Sequence, residues 1–160
     1  MAEVLVADNL ERRFDDLVAV DGVTFRVEAG ETYGLLGPNG AGKTTTISMI
    51  CGLLAPDAGR VTVLGSPMAP GELEARGWVG LVPQDLALYP DLTAAENLRF
   101  FGRLYDLRGE ALERRVRHVL TVVGLEERAE DRANEYSGGM KRRLNIGIGL
   151  LHQPQLLILD

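Results

Sequence analysis

A glycine-rich octapeptide at residues 37–44 constrains this chain more than any other segment. Its residues are Gly37, Pro38, Asn39, Gly40, Ala41, Gly42, Lys43 and Thr44. This is the spacing G-x-x-x-x-G-K-[ST], in which backbone N–H groups surround a phosphate at the start of a helix. The lysine adds a positive charge beside the outer phosphates, and the final hydroxyl can hold Mg²⁺. The octapeptide, called the P-loop below, therefore predicts binding of a nucleoside triphosphate.

The residues on both sides of the P-loop have the pattern that such a loop needs. Residues 32–36 read as a buried strand, and Ile47, Ile50 and Cys51 recur at helical spacing in a helix that runs to about residue 54. The motif alone does not choose among kinases, GTPases, helicases and transport ATPases, all of which carry it. A chance match is rare, about a few per thousand chains of this length.

Composition sets limits on the function. The net charge is −6, which indicates no bulk attraction to nucleic acid or to an anionic membrane. The one cysteine, Cys51, excludes an internal disulfide and suits a reducing compartment. No apolar run approaches the roughly 20 residues of a membrane span, and the first residues lack the features of a signal peptide. We expect a cytoplasmic chain that reaches a membrane only through a partner.

The order of predicted elements indicates an α/β fold with two parts. Strands at 4–6, 18–20 and 23–27, with turns at 21–22 and 29–30, form an N-terminal antiparallel β portion. Strands at 60–64 and 78–82 follow the P-loop helix. The sequence then becomes helical, so we predict a nucleotide-binding core at 1–84 and 153–160 with an inserted helical subdomain at 85–152.

Three helices are predicted in the insertion. Thr93 and Glu96 form a capping box at the start of the first. The second places apolar residues on one face between 112 and 123, and the third begins at about Gly138. The apolar run 155–159 predicts a central strand buried on both faces.

Two further motifs could complete a nucleotide site. Residues 156–160 form an apolar strand that ends in Asp160, the Walker B pattern of a magnesium-holding carboxylate. Ser137, Gly138 and Gly139 stand at a helix start, where exposed N–H groups and the helix dipole favour an anion. Taken alone, each has a simpler interpretation: an ordinary strand end for the first and a helix cap for the second.

Together these motifs resemble the ATP-binding cassette (ABC) transporter ATPases, nearly from end to end. Ser137, Gly138 and Gly139 match the family's signature motif, and Met140 replaces the common Gln, as in a branch that serves drug and antibiotic exporters. The resemblance implies that ATP and Mg²⁺ are bound by residues 37–44 and Thr45, with Lys43, Gln84 and Asp160 in catalytic roles. It also implies that Thr44, Gln84 and Asp160 hold the metal.

The resemblance also implies partners. A second ABC ATPase subunit would pair head to tail, so that ATP lies between one P-loop and the other copy's signature motif. A membrane permease would dock on residues 88–107, whose apolar and aromatic side chains could equally form core. Phe14 stands where the family stacks an aromatic ring on adenine, or it is a packing residue of a strand. The basic run at 141–143 reads as a solvated helix face, with no nucleic acid expected.

The family's pattern continues past Asp160, where this sequence stops. The glutamate that polarises water and the switch histidine would follow, and neither His118 nor His152 is at the switch position. We expect a truncated cassette that lacks the C-terminal part of its sheet, hydrolyses ATP inefficiently and is poorly soluble alone. There are two alternatives. The first is a non-transport ABC ATPase of translation or DNA repair, and the second is an ATP-binding fragment without catalysis. The first would bring a second cassette or a heptad-rich coiled coil, and neither occurs here.

Overall fold

The computed structural model describes residues 2–160, which divide into two compact units. The described residues up to Val79 form the first unit, and Gly80–Asp160 form the second. The predicted bounds of a core at 1–84 and 153–160 around a subdomain at 85–152 stay a prediction.

The first unit is built on a four-stranded antiparallel sheet. Its strands are β1 (Glu3–Phe14), β2 (Leu17–Glu28), β3 (Ala58–Val63) and β4 (Ser66–Pro67), in the order β2-β1-β3-β4. The helices are α1 (Lys43–Ile50) and the short α2 (Leu73–Arg76). Apolar residues from one face of β1 and β3 are buried together with Met49 and Ile50 of α1. The antiparallel β portion is therefore confirmed, and α1 ends four residues earlier than predicted.

The pairing of the central strand β1 is irregular at one place against both of its neighbours, β2 and β3. Between Ala7 and Leu10 the register with β2 slips, and the register with β3 slips between Asp8 and Glu11. Asn9 lies there at φ 48°, and its displaced N–H donates to Thr24 Oγ1 over 2.8 Å. This is a β-bulge, in which one strand carries an extra residue.

Two predictions for the first unit are wrong. The turn expected at residues 21–22 is absent, because β2 continues through it and takes up Gly22 (φ 64°) as a second bulge. Residues 32–36 form no strand, and Leu36 is 93% exposed. A strand needs a hydrogen-bonded neighbour to form its ladder, and none of the strands within residues 2–160 pairs with this segment.

The second unit is mainly helical. Its helices are α3 (Ala94–Leu104), α4 (Gly109–Val123) and α5 (Gly138–Leu150), with 3-10 turns at Glu126–Arg128 and Ala133–Glu135. The capping box of α3 is present, since Thr93 Oγ1 accepts from Glu96 N and Glu96 Oε2 accepts from Thr93 N. The predicted apolar face of α4 is also confirmed. Its five members are buried in one core with α3 and α5: Leu112, Val116, Val119, Leu120 and Val123.

Two short strands, β5 (Val79–Val82) and β6 (Leu156–Leu159), form a two-stranded sheet on which α5 packs closely. A Cβ on Gly80 would lie 2.4 Å from Gly149 O, so only glycine lets helix and strand approach this far. The strand at β6 was predicted, but its burial on both faces was not correct. Leu159 is 54% exposed, because β5 is the one strand paired with β6 within the described residues.

Helices and strands together give the predicted α/β class. Within residues 2–160, no helix has the length and apolar character needed to cross a membrane.

Candidate functional site

The P-loop in the first unit has the shape of an anion cradle. Gly40 and Gly42 adopt φ 82° and 81°, a left-handed conformation that suits glycine. At Gly42 a side chain is excluded twice, since a Cβ would also lie 2.1 Å from Ala19 O. The loop is therefore fixed against β2, and Gly42 leads directly into α1.

Lys43 folds back across the loop. Its Nζ donates to Gly37 O over 2.7 Å and to Pro38 O over 2.8 Å, which ties the first two loop residues to the first residue of α1. These bonds place the ammonium group beside the loop's backbone. A positive charge therefore lies at the mouth of the cradle.

The start of α1 leaves its first N–H groups available to an anion. No side chain caps this helix, and its first turn contains no acidic residue. Thr44 is exposed, and Thr45 is partly buried beside it. The phosphates of ATP fit the chemistry of this segment, because it combines uncapped N–H donors, the positive end of a helix dipole and an ammonium group. Residues 37–45 thus combine the glycine-rich loop and the uncapped helix start at which the sequence predicts a phosphate site, and their contact with ATP stays a prediction.

Phe14 lies at the end of β1 and is 43% exposed, which does not suit a packing residue. The guanidinium of Arg12 lies 5.0 Å from the centre of its ring. Cations and flat bases both bind to aromatic faces, so an exposed ring of this kind is compatible with stacking on a base. Its contact with adenine stays a prediction.

The signature residues of the second unit form an open helix start. Ser137 Oγ accepts from Met140 N over 3.3 Å, so it caps α5, while its own proton remains available to a ligand. Gly138 and Gly139 are exposed, and nothing lies within 4 Å of the position a Cβ would take. Buried Tyr136 anchors this segment from behind, as its hydroxyl donates to Arg128 O over 2.5 Å. Burial also raises the pKa of this hydroxyl.

Gln84 and Asp160 are brought together at the ends of β5 and β6. Asp160 N donates to Val82 O over 3.0 Å, which continues the pairing of the two strands. Arg142 of α5 donates to Pro83 O at 2.9 Å and to Asp160 O at 3.0 Å, with a longer bond to Gln84 O at 3.4 Å.

These contacts correct the interpretation of residues 141–143 as a solvated face at Arg142, and they add backbone partners to the exposed Arg143. Arg142 holds two strand ends, and Arg143 donates to Val123 O and Gly124 O at the end of α4. Asn145 on the next turn also donates to Pro83 O, over 3.2 Å, while its buried Oδ1 has no partner within residues 2–160. Arg142 and Arg143 therefore bind the protein's own backbone, because carbonyl groups at element ends need donors.

Sequence reasoning missed Asn97. This fully buried side chain accepts from Tyr89 N and donates to the carbonyls of Tyr89, Leu92 and Thr93 at 2.9–3.3 Å. It thereby fixes the shape of the segment between β5 and α3. The available signal was a polar residue next to Leu98 on the buried side of α3.

The surface at 88–107 has a mixed character. Tyr89, Phe100 and Phe101 contact one another with ring centres 4.7–6.0 Å apart, and Tyr89 and Phe100 are also exposed. Leu88 and Phe101 pack against the helical core. Some of these side chains are therefore core and others leave an aromatic patch on the surface, and the docking of a permease there stays a prediction.

The P-loop, the helix start at 137–139 and the strand that ends at Asp160 are together the motifs of the cassette class of P-loop proteins, and comparison with known proteins identifies the family. The profile of the ABC transporter family matches residues 20–160, so the chain belongs to this family. It is 49% identical over 157 residues to the linearmycin resistance ATP-binding protein LnrL of Bacillus subtilis. It is 47% identical over 152 residues to the Nod factor export ATP-binding protein I of Burkholderia lata.

Solved structures agree with this assignment. The cbiO1 subunit of Clostridium perfringens, part of the ABC transporter complex cbiONQ, superposes with a TM-score of 0.91 at 26% identity over 100% of this chain. An ATP-binding subunit of another ABC transporter gives 0.81 at 34% identity over 98%. The chain covers 66% and 65% of those structures. The alignment covers 98% of this chain with LnrL and 95% with the Nod factor protein. In both cases the chain spans only 50% of the relative's length.

Proposed function

We propose that this chain is the ATP-binding part of an ABC transporter that couples ATP binding and hydrolysis to export through a separate membrane permease. The observation that carries the proposal is the P-loop, in which Lys43 is tied across the loop to Gly37 and Pro38 at the uncapped start of α1. The export direction is supported by two of the relatives, a linearmycin resistance protein and a Nod factor export protein.

In this proposal Lys43 and the first amides of α1 bind the phosphates of ATP. The hydroxyl of Thr44, the amide oxygen of Gln84 and the carboxylate of Asp160 are oxygen ligands of the kind that Mg²⁺ prefers. When bound, the metal neutralises phosphate charge and so makes phosphoryl transfer easier. That these three residues serve one ion rests on the family's motifs.

The signature residues are proposed to bind the ATP of a second subunit in a head-to-tail pair. The exposed backbone of Gly138 and Gly139 supports this role, since a nucleotide can approach it without obstruction. The aromatic patch of Tyr89 and Phe100 is proposed to receive the permease, which would bring the chain to the inner face of the membrane.

Nucleotide binding is tested with Lys43→Ala, using Lys141→Ala as the matched control because these are the chain's only two lysines. Losing the ammonium should weaken ATP binding by about tenfold or more, since bonds to charged groups contribute about 1.5–3 kcal/mol. Isothermal titration calorimetry measures both variants. Equal affinity of Lys43→Ala and the wild type would contradict the P-loop assignment.

Pairing is tested with Ser137→Arg. This variant should bind ATP like the wild type but should not form the ATP-dependent dimer, which analytical ultracentrifugation detects. ATPase turnover then separates an enzyme from a binding module: we propose slow turnover by these 160 residues alone. Turnover at the rate of a full-length relative would contradict the slow rate without affecting the binding assignment.

A further inference from the structure

We propose that Arg142 is a positioning residue for the ATPase reaction, which holds the backbone at Gln84 and Asp160 in a fixed relation to the helix that begins at the signature motif. This inference rests on the proposed function, because it gives Arg142 a role in the same reaction. Its structural basis lies entirely within the second unit.

The guanidinium joins the ends of two neighbouring strands. Nη1 donates to Pro83 O at 2.9 Å, just after β5, and Nη2 donates to Asp160 O at 3.0 Å, just after β6. The planar fork of an arginine fixes the angle between its donors, so two carbonyls bound by one fork are held at a defined separation. Gln84 O, at 3.4 Å from Nη1, completes the contact.

Only backbone oxygens of these residues are used. No bond of Arg142 involves the amide oxygen of Gln84 or the carboxylate of Asp160. Arg142 also forms no ion pair with a carboxylate in the described part of the chain. The side-chain oxygens proposed as metal ligands thus stay available while the chain that carries them is fixed.

The helix α5 connects these hydrogen bonds of Arg142 to the signature motif. Ser137 caps α5, and Arg142 lies one turn further along the same 13-residue helix. At the other end a Cβ on Gly80 would lie 2.4 Å from Gly149 O, and a Cβ on Gly149 would lie 2.6 Å from Val82 Cγ2. A helix held at two points moves as a rigid body, so a displacement at Ser137 is passed through Arg142 to the ends of β5 and β6.

Arg143 provides the matched control. It is also an arginine of α5 that binds backbone carbonyls, at 2.9 and 3.1 Å, but these belong to Gly124 and Val123. Arg143→Gln and Arg142→Gln therefore both remove charged hydrogen bonds to backbone, and only Arg142→Gln affects Gln84 and Asp160. Lys141→Gln, which changes the residue in between, is the inert control.

The experiment measures kcat, the Mg²⁺ concentration for half-maximal activity and the metal-free affinity for ATP in the protein at its natural length. We expect Arg142→Gln to lower kcat by about tenfold and to raise the Mg²⁺ requirement severalfold, with metal-free affinity within about twofold. Arg143→Gln should lower the melting temperature without changing the Mg²⁺ requirement. Arg142→Lys should rescue partly, because one ammonium keeps the charge without the fork.

A positioning role would be overturned if Arg142→Gln and Arg143→Gln changed kcat and the Mg²⁺ requirement equally. Should Arg142→Gln not fold, Arg142→Lys is read in its place, and an unchanged Mg²⁺ requirement would equally overturn the inference.

Amide hydrogen exchange of nucleotide-free protein separates this inference from the proposed function. Arg142→Gln should speed exchange after β5 and at the end of β6, while Lys141→Gln should not. Unchanged exchange in Arg142→Gln would overturn the positioning role of Arg142, even if the protein is an active ATPase. If Arg142→Gln shows the exchange effect but the wild-type protein has no ATPase activity, the proposed function and the catalytic part of this inference are overturned instead.

Discussion

The close contact between α5 and β5 gives a sharp prediction for Gly80→Ala. The new Cβ would lie 2.4 Å from Gly149 O, about 1 Å less than the 3.4 Å at which ordinary contact begins. Pro154 Cγ and Leu157 Cδ1 are 2.9 and 3.1 Å away on the other sides. The obstructing atom is a backbone oxygen, so helix and strand must separate for the methyl group to fit.

The cost follows from the packing that this separation disturbs. Overpacking a core costs about 1–3 kcal/mol, and a blocked backbone puts Gly80→Ala at the upper end of that range. Removing a glycine from a strand returns about 0.5–1 kcal/mol, because the unfolded chain loses freedom. We therefore expect a net loss of about 2 kcal/mol, or a melting temperature lower by about 4–8 °C for a chain of this size.

Thermal melting followed by circular dichroism measures this change, with Gly139→Ala as the control. Gly139 lies in α5 with nothing within 4 Å of its Cβ position, so alanine there should raise the melting temperature slightly. The reasoning is refuted if Gly80→Ala melts at or above the wild type while Gly139→Ala behaves as expected.

Two further predictions concern buried polar groups. Asn97→Ala should cost about 3 kcal/mol, because it leaves the buried N–H and carbonyls of the 89–93 segment without their partner. Urea unfolding checks this, exposed Asn134→Ala is the control, and equal midpoints for the two variants would contradict it. Burial raises the pKa of Tyr136 above its ordinary value near 10.0, so stability present below that pH should be lost as pH rises towards the higher folded pKa. Melting between pH 8 and about pH 11 should therefore decline less steeply for Tyr136→Phe than for the wild type, and parallel curves would argue against it.

Features set by local chemistry were predictable from the sequence. The capping box needs only Thr93 and Glu96 three residues apart, and the apolar face of α4 follows from helical periodicity. The positive φ of Gly40 and Gly42 follows from the P-loop pattern in the same way. In each case the residues that decide the structure are close together in the sequence.

Features that depend on distant partners were not predictable. Residues 32–36 have the apolar pattern of a strand, but a pattern does not supply the neighbour that would complete its ladder. Asp21 and Gly22 are a typical turn pair, yet β1 pairs on both sides of them and makes them a bulge. Arg142 and Arg143 read as solvated because their acceptors are carbonyl groups, which every residue carries and no sequence pattern marks.

The bulge at Asn9 has a consequence for how the first sheet tolerates change. An ordinary strand can slide by two residues against its neighbour and keep the same side chains facing inward. In β1 the extra residue is matched on one side by Thr24 and on the other by Gly59, whose Cβ position lies 2.2 Å from Asn9 O. The bulge therefore fixes the register of β1 against both of its neighbouring strands. A deletion of Asn9 would need compensating changes in both neighbouring strands at once, so we expect this stretch to accept substitutions far more readily than changes of length.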